Sequence, residues 1–148
     1  MTLLAEYRDA RRDEDVARLR RVIALRAMVA TGMSQQQVGD ALGISQPAVS
    51  QQLRYAPDLE AVRPEELLDA AAPVLKALAA EDGYRRLAVF GSVARGQARQ
   101  DSDIDLLVDA PPGTSSFRLT CWLGRSTVYR AEERERTRNV MGVGTPAG

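Results

Sequence analysis

The stretch LAVFGSVARGQARQDSDIDLLVD, residues 87–109, decides how the chain reads. It continues a short apolar run, Arg86–Phe90, of the kind that forms a buried strand. Gly91-Ser92 breaks the run, and the spacing predicts a short helix through about Gly96. A second strand is predicted over Asp103–Val108. Side chains alternate along a strand, so Asp103 and Asp105 share one face while Ile104 and Leu106 turn to the core. Two neighbouring carboxylates repel, and burial adds to the cost. A divalent cation relieves both. Mg²⁺ favours carboxylates combined with substrate phosphates, and a pair of such ions can stabilise the attacking and leaving oxygens of phosphoryl or nucleotidyl transfer. Upstream, Gly91 lets the backbone approach a phosphate closely. The Ser92 hydroxyl and the amides that follow are phosphate donors, and Arg95 adds positive charge.

Moving toward the N-terminus, Pro64-Glu65-Glu66 opens a predicted helix that runs to about Ala80, with Pro73 expected to kink or divide it. Before it, residues 57–63 read as a linker. The segment TGMSQQQVGDALGISQPAVSQQLR, residues 31–54, has the layout of a helix-turn-helix. Ser34 and Gln37 form a capping-box pattern. Gly43 supplies the left-handed turn residue, and Ser45 caps a further helix with Pro47 in its first turn. Val38, Leu42, Ile44, Val49 and Leu53 are the apolar pins. The exposed set Ser45, Gln46, Ala48, Gln51, Gln52 and Arg54 suits double-stranded DNA. Gln pairs with adenine edges, Arg with guanine or phosphate, and Ala with the thymine methyl. Gly39 takes the place of the usual small residue in the first of the two helices, and propensity alone predicts a cost of roughly 1 kcal/mol relative to Ala. A supporting helix is predicted over residues 14–31 from apolar positions at i, i+3, i+4 and i+7.

Composition narrows the chemistry. The 148-residue chain has no histidine and a single cysteine, Cys121, so His-based catalysis, an internal disulfide and Cys/His metal clusters are excluded. Its formal net charge is zero, but the charge is unevenly spread. Residues 16–55 are basic, which suits a phosphate backbone, and residues 56–109 are acidic, which suits bound cations. No apolar run approaches the roughly 18 residues of a membrane span. The first residues turn charged too early for a secretory signal, so a cytoplasmic location is expected.

The pattern G-S-x-A-R-G-x(5)-S-D-I-D-L, carried by Gly91, Ser92, Arg95, Gly96, Ser102, Asp103 and Asp105, resembles the minimal nucleotidyltransferases of the polymerase-β superfamily. The resemblance covers about residues 64–123. Residues 31–54 resemble the helix-turn-helix of bacterial transcriptional regulators. The first resemblance implies that Gly91, Ser92 and Arg95 bind a nucleoside triphosphate such as ATP and that Asp103 and Asp105 hold Mg²⁺ as the catalytic pair. Members of that family often act as antitoxins beside a HEPN-type ribonuclease toxin, some by transferring AMP onto a toxin tyrosine. The same role is implied here, with DNA binding for transcription regulation added and a homodimer as the default state of such DNA readers. The family usually carries a third carboxylate on the next strand. The strand-like piece at Thr127–Tyr129 has none, and Glu132 and Glu133 lie beyond it. Whether the chain is an enzyme is therefore open. The alternative is a DNA-binding regulator or antitoxin whose nucleotidyltransferase domain is inactive.

The expected fold class is α+β: an all-α helix-turn-helix domain (1–56), the linker (57–63), a small nucleotidyltransferase-like α/β domain with a short mixed sheet (64–123), and an atypical, partly disordered tail (124–148). Ser116–Leu123 suggests a short helix and Ala131–Arg138 a charged one. The loss of apolar periodicity from about Trp122 reads as a truncated or frame-shifted C-terminus that does not continue the fold.

Overall fold

A computed structural model describes residues 2–115 and 117–130. Three helices come first: α1 (Leu3–Ala30), α2 (Gln35–Leu42) and α3 (Gln46–Arg54). A 3₁₀ turn at Leu59–Ala61 leads into α4 (Pro64–Glu81). Then follow β1 (Arg86–Phe90), β2 (Ile104–Asp109), the single-turn α5 (Phe117–Thr120) and β3 (Ser126–Arg130). The strands form one mixed sheet in the order β1-β2-β3, antiparallel between β1 and β2 and parallel between β2 and β3. The α+β class with a short mixed sheet is as expected.

The helix-turn-helix forms for the reasons its sequence suggests. The Ser34 hydroxyl accepts from the Gln37 amide at 3.1 Å, and the Gln37 side chain accepts from the Ser34 amide at 2.9 Å. Gly43 sits at φ 72°, where a side chain would be strained. The Ser45 hydroxyl caps α3 by accepting from the Ala48 amide at 3.2 Å. Val38 and Val49 are fully buried against Leu25 of α1, and Ile44 and Leu53 pack around them. Leu42, expected as a pin, is instead exposed.

Several details depart from the sequence reading. α1 begins at Leu3 rather than near residue 14. Thr2 caps it, with its hydroxyl accepting from the Ala5 amide at 3.1 Å. The added turns are mostly charged and lack the apolar period that reveals a helix in sequence. α4 runs unbroken through Pro73. That proline is exposed, as is Asp69, whose carbonyl is left without its amide partner. The buried face (Leu67, Ala70, Ala71, Leu75, Leu78, Ala79) holds the helix together. The helix expected after Ser92 is a pair of tight turns. α5 is a single turn, shorter than the expected 116–123.

The expectation that the chain leaves the fold at Trp122 is overturned for residues 122–130. Trp122, Leu123 and Arg125 are buried, and β3 pairs with β2 from Ile104↔Ser126 to Val108↔Arg130. The apolar signal was weak because β3 gives only Val128 to the core, as an outer strand with polar neighbours. The charged helix expected at Ala131–Arg138, together with Glu132, Glu133 and the rest of the tail, lies outside the described residues.

One face of the sheet is the core. Ile104, Leu106 and Val108 are fully buried, with Leu87, Val89 and Val128 packed beside them. This layer rests on α4 and reaches α1, whose Leu19, Ile23 and Ala27 belong to the same cluster. α1 is therefore shared. One stripe packs on the sheet-bearing unit, while Leu25 anchors the helix-turn-helix.

Candidate functional site

The second face of the sheet carries Phe90 of β1, Asp105 of β2 and Thr127 of β3 in one row, since Asp105 is the register partner of both Phe90 and Thr127. Below that row Phe90 meets Tyr129 edge-to-face, with ring centroids 5.1 Å apart. Asp105 is half-buried and Asp103, one step before β2, is exposed. The expected alternation holds: Ile104 between them is fully buried.

The Gly-Ser turn wraps the end of this row. Gly91 has φ 78°, and a Cβ there would run into the Asp105 carboxylate. Only glycine permits both the turn and this approach. The turn's own hydrogen bonds start with the Arg95 amide, which donates to the Gly91 carbonyl at 3.2 Å. The Gly96 and Gln97 amides donate back to Val93 and Ser92. The amides of Ser92, Val93 and Ala94 are not consumed by those bonds, which is the arrangement that binds anions elsewhere. Buried Val93 anchors the turn to the core.

Burial raises the pKa of Asp105 above the ordinary carboxylate value, and the neighbouring Asp103 charge raises it further, while Arg95 pulls it down. Asp105 is the carboxylate whose ionisation the fold disfavours, with Arg95 acting against that effect. Gly91, Ser92, Arg95, Asp103 and Asp105 are thus brought together. The position that faces Asp105 across the parallel pairing is Thr127, and no group of three metal-competent acids occurs among the described residues. The residues present fit a cation held by two carboxylates and completed by substrate phosphates.

The second candidate surface lies on α3. Ser45, Gln46, Ala48, Gln51 and Arg54 line one shallow concavity together with Tyr55, which is 71% exposed. Gln46 is tied to α2, its side-chain amide donating to the Gln35 side-chain oxygen at 2.8 Å. Gln52 turns the other way, into a cleft shared with Arg18 and Arg21 of α1. Neither arginine makes a salt bridge among the described residues. The sequence reading counted these two residues in the basic stretch 16–55 but did not set them beside Gln52, although their i, i+3 spacing on α1 was a usable signal. It put Thr127 on a strand-like piece without an acid, and the strand register sets that residue opposite Asp105.

Two family models match the chain: the nucleotidyltransferase domain over residues 73–143, and region 4 of sigma-70 over residues 17–58. Together they define the class: a helix-turn-helix unit fused to a nucleotidyltransferase domain. Among curated proteins, a protein adenylyltransferase MntA of Thermococcus cleftensis is 59% identical over 27 residues, which is 18% of this chain and 27% of that relative. The chain thus matches about a quarter of that protein's length. No solved structure matches. No described helix is long and apolar enough to cross a membrane.

Proposed function

We propose that the chain transfers AMP from Mg²⁺-bound ATP to a hydroxyl of a protein partner and binds duplex DNA through α3. The observation that carries the first half is the closure of the Gly91-Ser92 turn on Asp105. It brings the backbone of that turn up against the Asp105 carboxylate, which supports a triphosphate role for the turn beside the carboxylate pair. Asp103 and Asp105 hold the Mg²⁺, which when bound offsets the charge of the triphosphate and of the pentavalent transition state. Ser92 and the amides of its turn, with Arg95, orient the phosphates. The acceptor oxygen forms a bond to the α-phosphorus, the bond from that phosphorus to the bridging oxygen breaks, pyrophosphate leaves, and the hydroxyl proton passes to solvent. The short match to an adenylyltransferase supports adenylyl rather than phosphoryl transfer.

The partner we propose is a HEPN-type ribonuclease toxin acting with this chain as antitoxin in the cytoplasm. The DNA target would be the operator of their shared operon, bound by a homodimer. The test uses ATP labelled at its α-phosphate, the purified partner and Mg²⁺. Label on a partner tyrosine with the native chain, and none with Asp103→Ala/Asp105→Ala, supports the reading. No transfer by the native chain refutes it.

A second reading is favoured by one observation, the threonine at the β3 position beside Asp105. In it the nucleotidyltransferase fold is a scaffold and DNA binding is the function. Arg18 and Arg21, beside Gln52, would then hold phosphates flanking the groove read by Gln51 and Arg54. Each phosphate contact adds roughly 0.9 to the slope of log affinity against log salt. Replacing both arginines with Gln is expected to lower that slope by about 2 while leaving sequence preference intact. An unchanged slope contradicts the assignment.

A further inference from the structure

Arg125 is the one charged side chain that is buried among the described residues, at 7% exposure. It has no carboxylate partner there. Instead its guanidinium is surrounded by backbone carbonyls from two distant segments. One terminal nitrogen donates to Leu59 at 3.3 Å, Glu60 at 3.1 Å and Val62 at 2.7 Å. The other donates to Ser102 at 2.9 Å and to Gln100. The remaining carbonyl of the first segment, Ala61, accepts from the Gln100 side chain at 2.8 Å. Four consecutive carbonyls of the segment joining α3 to α4 are thereby engaged. The loop that delivers Asp103 is fixed to them from the other side. The Arg125 carbonyl also accepts from the Ile104 amide at 2.9 Å, so one residue holds both ends of the step at which Asp103 leaves the loop.

We propose that Arg125 is a positioning residue for the Asp103/Asp105 cation site, locking the Asp103 loop onto the segment that leaves the helix-turn-helix. The inference rests on the metal role proposed for those carboxylates. Convergent carbonyls select a planar, multi-donor cation. A guanidinium supplies N–H groups in a fixed fork, whereas an ammonium supplies three donors from one point. Without the cation these carbonyls face one another, and the loop has reason to move apart from the segment it now grips. Residues that orient metal ligands without touching the metal commonly change metal affinity by about 10–100-fold when replaced.

The experiment measures Mn²⁺ binding to the full chain by the paramagnetic resonance of the free ion, with no nucleotide present. Hydrogen exchange is followed at residues 59–62 and 99–105. Arg125→Ala and Arg125→Lys are compared with Leu75→Ala, a core truncation in α4 that lowers stability without touching the loop. Arg125→Ala is expected to bind Mn²⁺ at least about 10-fold more weakly and to exchange faster in both segments. Ethylguanidinium at millimolar concentration restores affinity, and ethylammonium does not. Arg125→Lys stays impaired, and Leu75→Ala keeps native affinity. Native affinity in Arg125→Ala, or equal loss in Leu75→Ala, overturns the proposal while leaving the metal reading in place. If Arg125→Ala does not fold, the comparison falls to Arg125→Lys, where native affinity is equally fatal. A native chain that binds no Mn²⁺ removes the metal reading and this proposal together.

Discussion

Asp105 stands where the fold works against its own stability. Its carboxyl is held above the usual value of 3.8 by burial and by Asp103. A raised carboxyl pKa means that the fold favours the neutral form. That stabilisation is complete below about pH 3.8 and is lost as pH rises through the folded value. In metal-free protein, Asp105→Asn is therefore expected to melt higher than the native chain at pH 7, with the gain vanishing below pH 3.8. Adding Mg²⁺ should stabilise the native chain and leave Asp105→Asn unmoved. Melting curves across pH, with and without Mg²⁺, check both halves. The carboxylate pair was legible in sequence because strand alternation has a period of two and the Gly-Ser turn sits at a fixed distance. Arg125 was not legible. Its partners are backbone carbonyls 23 to 66 residues away, and any residue type can supply a carbonyl.

At the scale of elements, Gly39 separates propensity from packing. Propensity favours Ala by about 1 kcal/mol. The structure reverses this, because a Cβ on Gly39 would stand 2.7 Å from the Ile44 carbonyl oxygen and 3.4 Å from the Gln46 amide. Both neighbours are backbone in the turn that sets α3 against α2, so neither yields readily. Gly39→Ala is expected to destabilise by about 1–3 kcal/mol, the usual range for overpacking, as read from denaturant midpoints. A stabilised variant would mean that the two helices do not approach this closely. The caps and turn glycines of α2 and α3 were visible in the sequence because each is a local signal within four residues. The first turns of α1 were not, and β3 showed only as a strand-like piece at Thr127–Tyr129 with no sign that it joins the sheet. The former lack apolar periodicity, and the latter gains its stability from pairing with β2 rather than from its own composition.

For the molecule as a whole, the shared helix matters most. The sequence suggests two units divided by a linker, yet Leu19, Ile23 and Ala27 of α1 lie in the same core as α4 and the sheet. Such contacts depend on how helices far apart in sequence dock, which no local pattern reports. Ile23 is fully buried. Its replacement by Ala is expected to cost about 2–5 kcal/mol and to lower the melting of helices and sheet together, in one transition seen equally by far-ultraviolet dichroism and by Trp122 fluorescence. Two separated transitions would show that the units fold independently.

The pairing of the Gly91-Ser92 turn with Asp103 and Asp105 is tested most directly by calorimetric titration of the native chain with a non-hydrolysable ATP analogue. The titration is run with Mg²⁺ and with chelator, beside Asp103→Asn/Asp105→Asn. Saturable binding that requires Mg²⁺ and weakens at least about 10-fold in the double variant is expected. Binding that ignores both the metal and the substitutions, or no binding by the native chain, would contradict it.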